Sequence, residues 1–176
     1  MPTIVTHAAV PLGLRIALGA AVVSTPLTIA AAVASVVPDF DVAAFAFGIP
    51  YGHPFGHRGL SHSLAFAVLL GVVAAFAAPW LRSSRPVAFA VVAVSAASHG
   101  LLDAATNGGK GVALLAPFTM QRYFFPWRPI QVSPIGISRI FSSWGLSVAL
   151  SELTWVWLPV LTVSLLFAAF RSARTA

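Results

Sequence analysis

Apolar residues fall into four long stretches, separated by short polar segments or by segments rich in glycine, proline and histidine. The first runs from about Ile4 to Val37, the second from Ser63 to Leu81, the third from Val87 to Ala105 and the fourth from Leu153 to Phe170. Each of the last three holds about 18 to 20 residues, enough for a helix to cross about 30 Å of hydrocarbon. The first is too long for one crossing. Ser24-Thr25-Pro26 in its middle offers an N-cap followed by proline in the first helical turn. This predicts two short helices, Ile4 to about Val22 and Pro26 to Val37, folded as a hairpin. The alternative is a single span from Leu14 to Val37 kinked at Pro26, with Arg15 near its start. A hairpin returns Asp39 to the side of His7, whereas a single span separates them.

Between Pro38 and His62 lies a loop rich in Gly, Pro and His, and Arg82-Ser83-Ser84-Arg85-Pro86 forms a tight polar turn on the opposite side. The longest connection runs from Asn107 to about Glu152. It interleaves Phe118, Tyr123, Phe124, Phe125 and Trp127 with Arg122 and Arg128, a mixture that belongs at headgroup depth. Gly136 to Leu150 can form a further short helix. No repeat and no domain boundary is visible, so residues 1–176 read as one all-α domain. The expected architecture is a polytopic transmembrane helical bundle of about four to six helices, including the N-terminal hairpin.

Composition agrees with lipid as the surrounding solvent. Charged residues make up 8% and hydrophobic residues 59% of the chain, against about 25% charged in a soluble domain. The net charge of +6 comes from basic residues beside apolar segments, where they set topology and meet anionic lipid headgroups; nucleic acid is not an expected partner. Arg82, Arg85, Arg171 and Arg174 favour the face away from the acids and histidines as cytoplasmic. Arg58, Lys110, Arg122, Arg128 and Arg139 on the other side nearly balance them. The first apolar stretch lacks the basic leader and clear stop of a cleaved signal, so it is expected to be retained. With no cysteine, a transition-metal site must use His, Asp, Glu or backbone oxygen.

The acids are Asp39, Asp41, Asp103 and Glu152, and the histidines His7, His53, His57, His62 and His99. Ionisable groups are costly in lipid and mark function by default. In the hairpin arrangement all nine lie at the same end of the helices. His99 and Asp103 stand at i and i+4 on one helix face, a spacing that aims two ligands at one ion. Asp39 and Asp41 follow a helix end. If extended, they either both face the site, or one turns aside to support a ligand. In His57-Arg58-Gly59-Leu60-Ser61-His62-Ser63, Ser61 can cap the next helix with His62 in its first turn, and His57 can turn toward the same point. Arg58 can hold a phosphate or carboxylate with its planar fork. His7 joins only in the hairpin, and His53 reads as an ordinary loop histidine. Glu152 can be a ligand, a general base or a partner for Arg122 or Arg139. Imidazole and carboxylate without thiolate suit Zn²⁺, Mn²⁺ or Fe²⁺. No nucleophile elbow, His-Glu-x-x-His or phosphate loop is present, which leaves metal-assisted hydrolysis.

The series Thr6-His7, Pro38-Asp39-x-Asp41, His57-Arg58-Gly59-x-Ser61-His62-Ser63, His99-x-x-x-Asp103-x-x-Thr106, Leu115-Ala-Pro117-Phe118 and Glu152 resembles the bacterial membrane-bound metal-dependent hydrolase family over nearly the whole chain. That resemblance implies a multi-pass protein of the bacterial inner membrane with hydrolytic activity. The order His7, Asp39, His57 or His62, His99 and Asp103 is also distantly similar to the ligand order of zinc-dependent phospholipase C and related single-strand nucleases. No histidine follows His99, which fits one or two ions rather than three. The expectation is a hydrolase with His7, Asp39, His57, His62, His99 and Asp103 as metal ligands, Arg58 binding substrate oxyanion, and Asp41 or Glu152 as supporting ligand or general base. Its substrate would be a phosphoester or a lipid-linked molecule at the membrane face. The rival readings are a metal or proton transporter and a non-catalytic scaffold with a structural metal site. The transporter requires a polar path between the faces. Ser95, Ser98, Thr162 and Ser164 offer little of one.

Overall fold

The computed structural model describes residues 1–133 and 141–174; Arg139 and the start of the expected Gly136–Leu150 helix lie outside them. The described residues are helical with no strand. Two isolated backbone bridges, Thr106 with Ile130 and Val112 with Tyr123, tie the long connection together.

The N-terminal stretch folds as the hairpin. Helices α1 (Ile4–His7) and α2 (Ala9–Leu18) run to Gly19, whose φ of 84° turns the chain. Ser24 then caps α3 (Thr25–Ala34), its Oγ accepting from the Leu27 N–H at 3.2 Å, with Pro26 in the first turn. Arg15 closes the turn by donating to the Val23 carbonyl at 2.7 Å and Thr28 Oγ1 at 3.2 Å. Charge near the helix end is thereby spent on backbone that would otherwise lack a partner.

Past Ser35 the chain does not become a loop. Pro38 opens a 3-10 run, Val37–Phe47, and Thr25–Phe47 as a whole is long and apolar enough to cross a membrane. Helix α4 (Leu64–Phe76) has 13 residues, about 20 Å, and is shorter than the crossing expected of the second stretch. Its start is set by Ser63, whose Oγ accepts from the Phe66 N–H at 3.1 Å. The capping role expected of Ser61 thus falls two residues later. Helix α5 (Arg85–Ala104) spans 20 residues, about 30 Å.

The last apolar stretch is longer than its pattern implied. Helix α6 (Ser143–Glu152), a π-turn (Leu153–Trp157) and α7 (Leu158–Ala173) form one 31-residue run. Pro159 explains the π-turn, because its ring has no N–H to give and crowds the preceding turn. Glu152 therefore sits inside a helical run rather than opening it. At about 46 Å this run exceeds the hydrocarbon, so it tilts or projects beyond it.

Small side chains let the helices close up, as in membrane bundles. Leu27, Ala31, Ala67, Ala74, Ala88, Val92 and Ala96 join α3, α4 and α5. Helix α2 lies on α7 at Gly13, where a Cβ would come within 2.5 Å of Val160 Cγ1. At one end, Ser24 Oγ donates to the Leu81 carbonyl at 2.5 Å and Arg171 to the Ala17 carbonyl. The acids and histidines gather at the other end. The two ends should face opposite sides of the membrane. In this cysteine-free chain, Ser84→Cys and Gln121→Cys should react with impermeant maleimide from opposite sides of oriented vesicles. Labelling of both from one side would contradict the topology.

Candidate metal centre

Four elements bring five side chains to one point. His7 ends α1, Asp39 lies in the first turn of the 3-10 run, His62 precedes α4, and His99 and Asp103 occupy the last turns of α5. All five are buried. His62 Nε2 lies 3.3 Å from Asp103 Oδ2 and 3.7 Å from Asp39 Oδ1. His99 Nε2 lies 3.4 Å from Asp39 Oδ1 and 4.0 Å from Asp103 Oδ2. Ligand atoms about 2.0–2.1 Å from a tetrahedral ion stand about 3.3 Å from one another. The spacing is that of ligands around an ion, and Asp39, His62, His99 and Asp103 form such a group.

Energetics argue the same way. His7 Nδ1 and Nε2, both oxygens of Asp39 and of Asp103, His62 Nε2 and His99 Nε2 are buried without a hydrogen bond of ordinary geometry. Each such atom costs about 1–3 kcal/mol. Ion pairs within the cluster, Arg58 Nε 3.0 Å and His62 Nε2 3.3 Å from Asp103 Oδ2, offset part of that cost. A divalent cation among Asp39, His62, His99 and Asp103 could complete the set.

Orientation of the rings is settled by their other nitrogens, as in metal sites where an outer partner fixes the tautomer. His99 Nδ1 lies 2.8 Å from the Ser35 carbonyl and so must carry the proton. His62 Nδ1 faces Asp41 Oδ2 at 3.1 Å. In both rings Nε2 is left to face the cluster. The tight approach of α5 to the His62 segment needs Gly100, where a Cβ would meet the His62 carbonyl at 2.4 Å.

Asp41 does not join Asp39. Two residues along a 3-10 helix point about 120° apart, so Asp39 faces the cluster while Asp41 faces the loop. Asp41 accepts from the Arg58 N–H at 3.1 Å and Ser61 Oγ at 2.6 Å, and its Oδ1 lies 2.6 Å from His57 Nδ1. Asp41, His57 and His62 are close enough to be taken for a second ion group. The 2.6 Å separation is instead that of a hydrogen bond, too short for two ligands across an ion. His57 thus lies one ring away from the cluster, 5.4 Å from the His62 centroid, in an Asp–His pair.

The chain matches the family described as YdjM inner membrane protein over residues 1–176. It belongs to that family. Inner membrane protein YbcI of Escherichia coli (strain K12) is 44% identical over 160 residues, which cover 90% of this chain and 92% of that one. No solved structure matches.

Two further residues singled out in the sequence take places in this family member that their types alone did not reveal. Arg58, at φ 62°, is wholly buried. Its Nε lies 3.0 Å from Asp103 Oδ2, and it donates to the Gly108 carbonyl at 3.0 Å and Thr106 Oγ1 at 3.2 Å. The guanidinium is committed inside the protein. Glu152 accepts from the Thr3 N–H and, at 2.7 Å each, from Thr3 Oγ1 and Thr6 Oγ1. It pins α1 to the last helical run, and Trp157 Nε1 adds a bond to Thr6 at 3.1 Å. His53 is exposed, its Nδ1 accepting from the Phe55 N–H. Ser35 was not anticipated, because a carbonyl role leaves no trace in residue type.

Burial alone would lower the His62 imidazole, but the carboxylates of Asp103, Asp39 and Asp41 reverse this and hold it up at about 10. Without an ion, His62 carries a proton that ion binding must displace. Zn²⁺ added to the chelator-stripped protein at pH 7 should release about one proton from this group, and apparent affinity should rise with pH up to about 10. pH-independent uptake without proton release would contradict it. Gly100→Ala should lower ion affinity at least tenfold, measured by competition with a chromogenic chelator.

Proposed function

We propose that this protein is an integral membrane metal-dependent hydrolase acting on a phosphoester or lipid-linked substrate at the membrane face. The observation that carries this reading is the set of buried, unpartnered Nε2 and carboxylate atoms of His7, Asp39, His62, His99 and Asp103. These residues would hold the ion; with nitrogen and oxygen donors alone, Zn²⁺ fits best and Mn²⁺ or Fe²⁺ also fit. Such an ion supplies Lewis-acid polarisation of a phosphoryl or acyl oxygen and a water made acidic near neutral pH.

The remaining residues have distinct tasks. Asp41 accepts a hydrogen bond from His57 Nδ1–H at 2.6 Å, leaving His57 Nε2 to exchange a proton with water or a leaving group. That replaces Asp41 or Glu152 as base with His57, and makes Asp41 its orienting carboxylate. Arg58 holds Asp103 in place and offsets part of the buried negative charge. Glu152 holds α1, and hence His7, against the cluster.

Surroundings support a lipid-like substrate. A groove of about 460 Å³ lined by Leu101, Leu102, Phe125, Trp127, Ile130 and Trp155 runs beside the end of α5 that bears Asp103. Exposed Phe47, Phe118, Trp127 and Phe141 surround this end of the molecule, where aromatic rings settle at the headgroup level. Arg128 lies over the Phe124 ring at 4.8 Å.

His99→Ala, Asp103→Ala and Asp39→Ala should each reduce bound transition metal in detergent-purified protein by at least tenfold. They should also abolish hydrolysis of a phosphoester and phospholipid panel. His57→Ala should retain the metal and lose at least a hundredfold in kcat, the typical contribution of acid–base catalysis. Unchanged metal content in all three ligand variants would overturn the reading.

A further inference from the structure

The four-ligand group leaves atoms over. A tetrahedral ion held by His62 Nε2, His99 Nε2, one oxygen of Asp39 and one of Asp103 is closed, as structural zinc sites are. The oxygens in that group are Asp39 Oδ1 and Asp103 Oδ2. The other two carboxylate oxygens turn the opposite way. Asp39 Oδ2 lies 3.8 Å and Asp103 Oδ1 4.0 Å from His7 Nε2. All three atoms are buried without a hydrogen-bond partner, and the Met1 amino group lies 3.9 Å from Asp103 Oδ1. The His7 ring stacks on His99 at 3.7 Å between centroids and 19° between planes, so the two imidazoles present parallel edges to the same pair of carboxylates.

We propose that this face is a second divalent-metal position, held by His7 Nε2, Asp39 Oδ2 and Asp103 Oδ1, with Asp39 and Asp103 bridging the two ions. The inference rests on the hydrolase reading's metal cluster and adds a division of labour within it. Three protein atoms leave at least one coordination place for water or substrate, as catalytic ions require, whereas an ion at the His62–His99 position takes water or substrate only by expanding to five-coordinate. Paired ions bridged by carboxylates clamp the oxygens of a transferring phosphoryl group, which favours a phosphoester over a carboxylic ester. Charge agrees with an anionic substrate. Asp39, Asp41 and Asp103 against Arg58 leave two negative charges, which one divalent ion balances; a second ion then needs an anion beside it.

The test is metal stoichiometry on the full chain in detergent, stripped with chelator and reloaded with Mn²⁺. Wild type should bind two ions per chain and show the exchange-broadened paramagnetic resonance of a coupled pair. His7→Gln and His7→Ala should each bind one ion, with the spectrum of an isolated Mn²⁺ and unchanged helical circular dichroism. One ion in both wild type and His7 variants would overturn the second position while leaving the hydrolase reading intact. Two coupled ions in the His7 variants, or loss of all metal with helicity intact, would also overturn it. No ion in wild type would overturn both.

Discussion

Five ligand-type side chains at one end of a helical bundle, with their polar atoms turned inward and unpartnered, constrain everything else in this molecule. Burying these groups carries a desolvation cost that ion pairs inside the cluster offset in part. A cation could complete the set. Other features serve to hold the set together: the hairpin that returns Asp39 to His7, the Gly100 contact, the Arg58 guanidinium against Asp103, and the Glu152 clasp on α1. Phe118 and Trp127 of the long connection stand exposed at that end.

Chemistry is layered outward from the cluster. Asp41 fixes the tautomer of His62 and orients His57, so one carboxylate links the His62–Asp39–Asp103 cluster to His57. Arg122 then ties the covering loop, donating to the His57 carbonyl at 3.0 Å and the Tyr51 carbonyl at 2.9 Å. The guanidinium also stacks on the Tyr51 ring at 5.3 Å. Arg15, Arg58, Arg122 and Arg171 hold backbone or carboxylate of the protein itself, rather than simply facing lipid headgroups.

Much of this was legible in the sequence. The Ser24-Thr25-Pro26 signal located the hairpin, and the hairpin alone predicted that the scarce acids and histidines meet at one end. The i, i+4 spacing of His99 and Asp103 placed both on the inner face of α5. Spacing could not decide what depended on local helix type. An extended reading of Asp39-Phe40-Asp41 left two arrangements open, and the 3-10 turn selected one. Nor could residue type reveal that Glu152 bonds Thr3 and Thr6 from inside a helical run, because that contact spans 149 residues. Arg58 resembled a substrate-binding residue because its buried partner, Asp103, lies on another helix.

The chemistry of this end of the molecule depends on an ion among these imidazoles and carboxylates. X-ray absorption fine structure of the zinc-reloaded protein addresses that directly. The account predicts a nitrogen and oxygen shell at about 2.0–2.1 Å, with the outer-ring scattering of coordinated imidazole that weakens in His99→Ala. An ion with a water shell and no imidazole scattering, or no bound zinc, would contradict it.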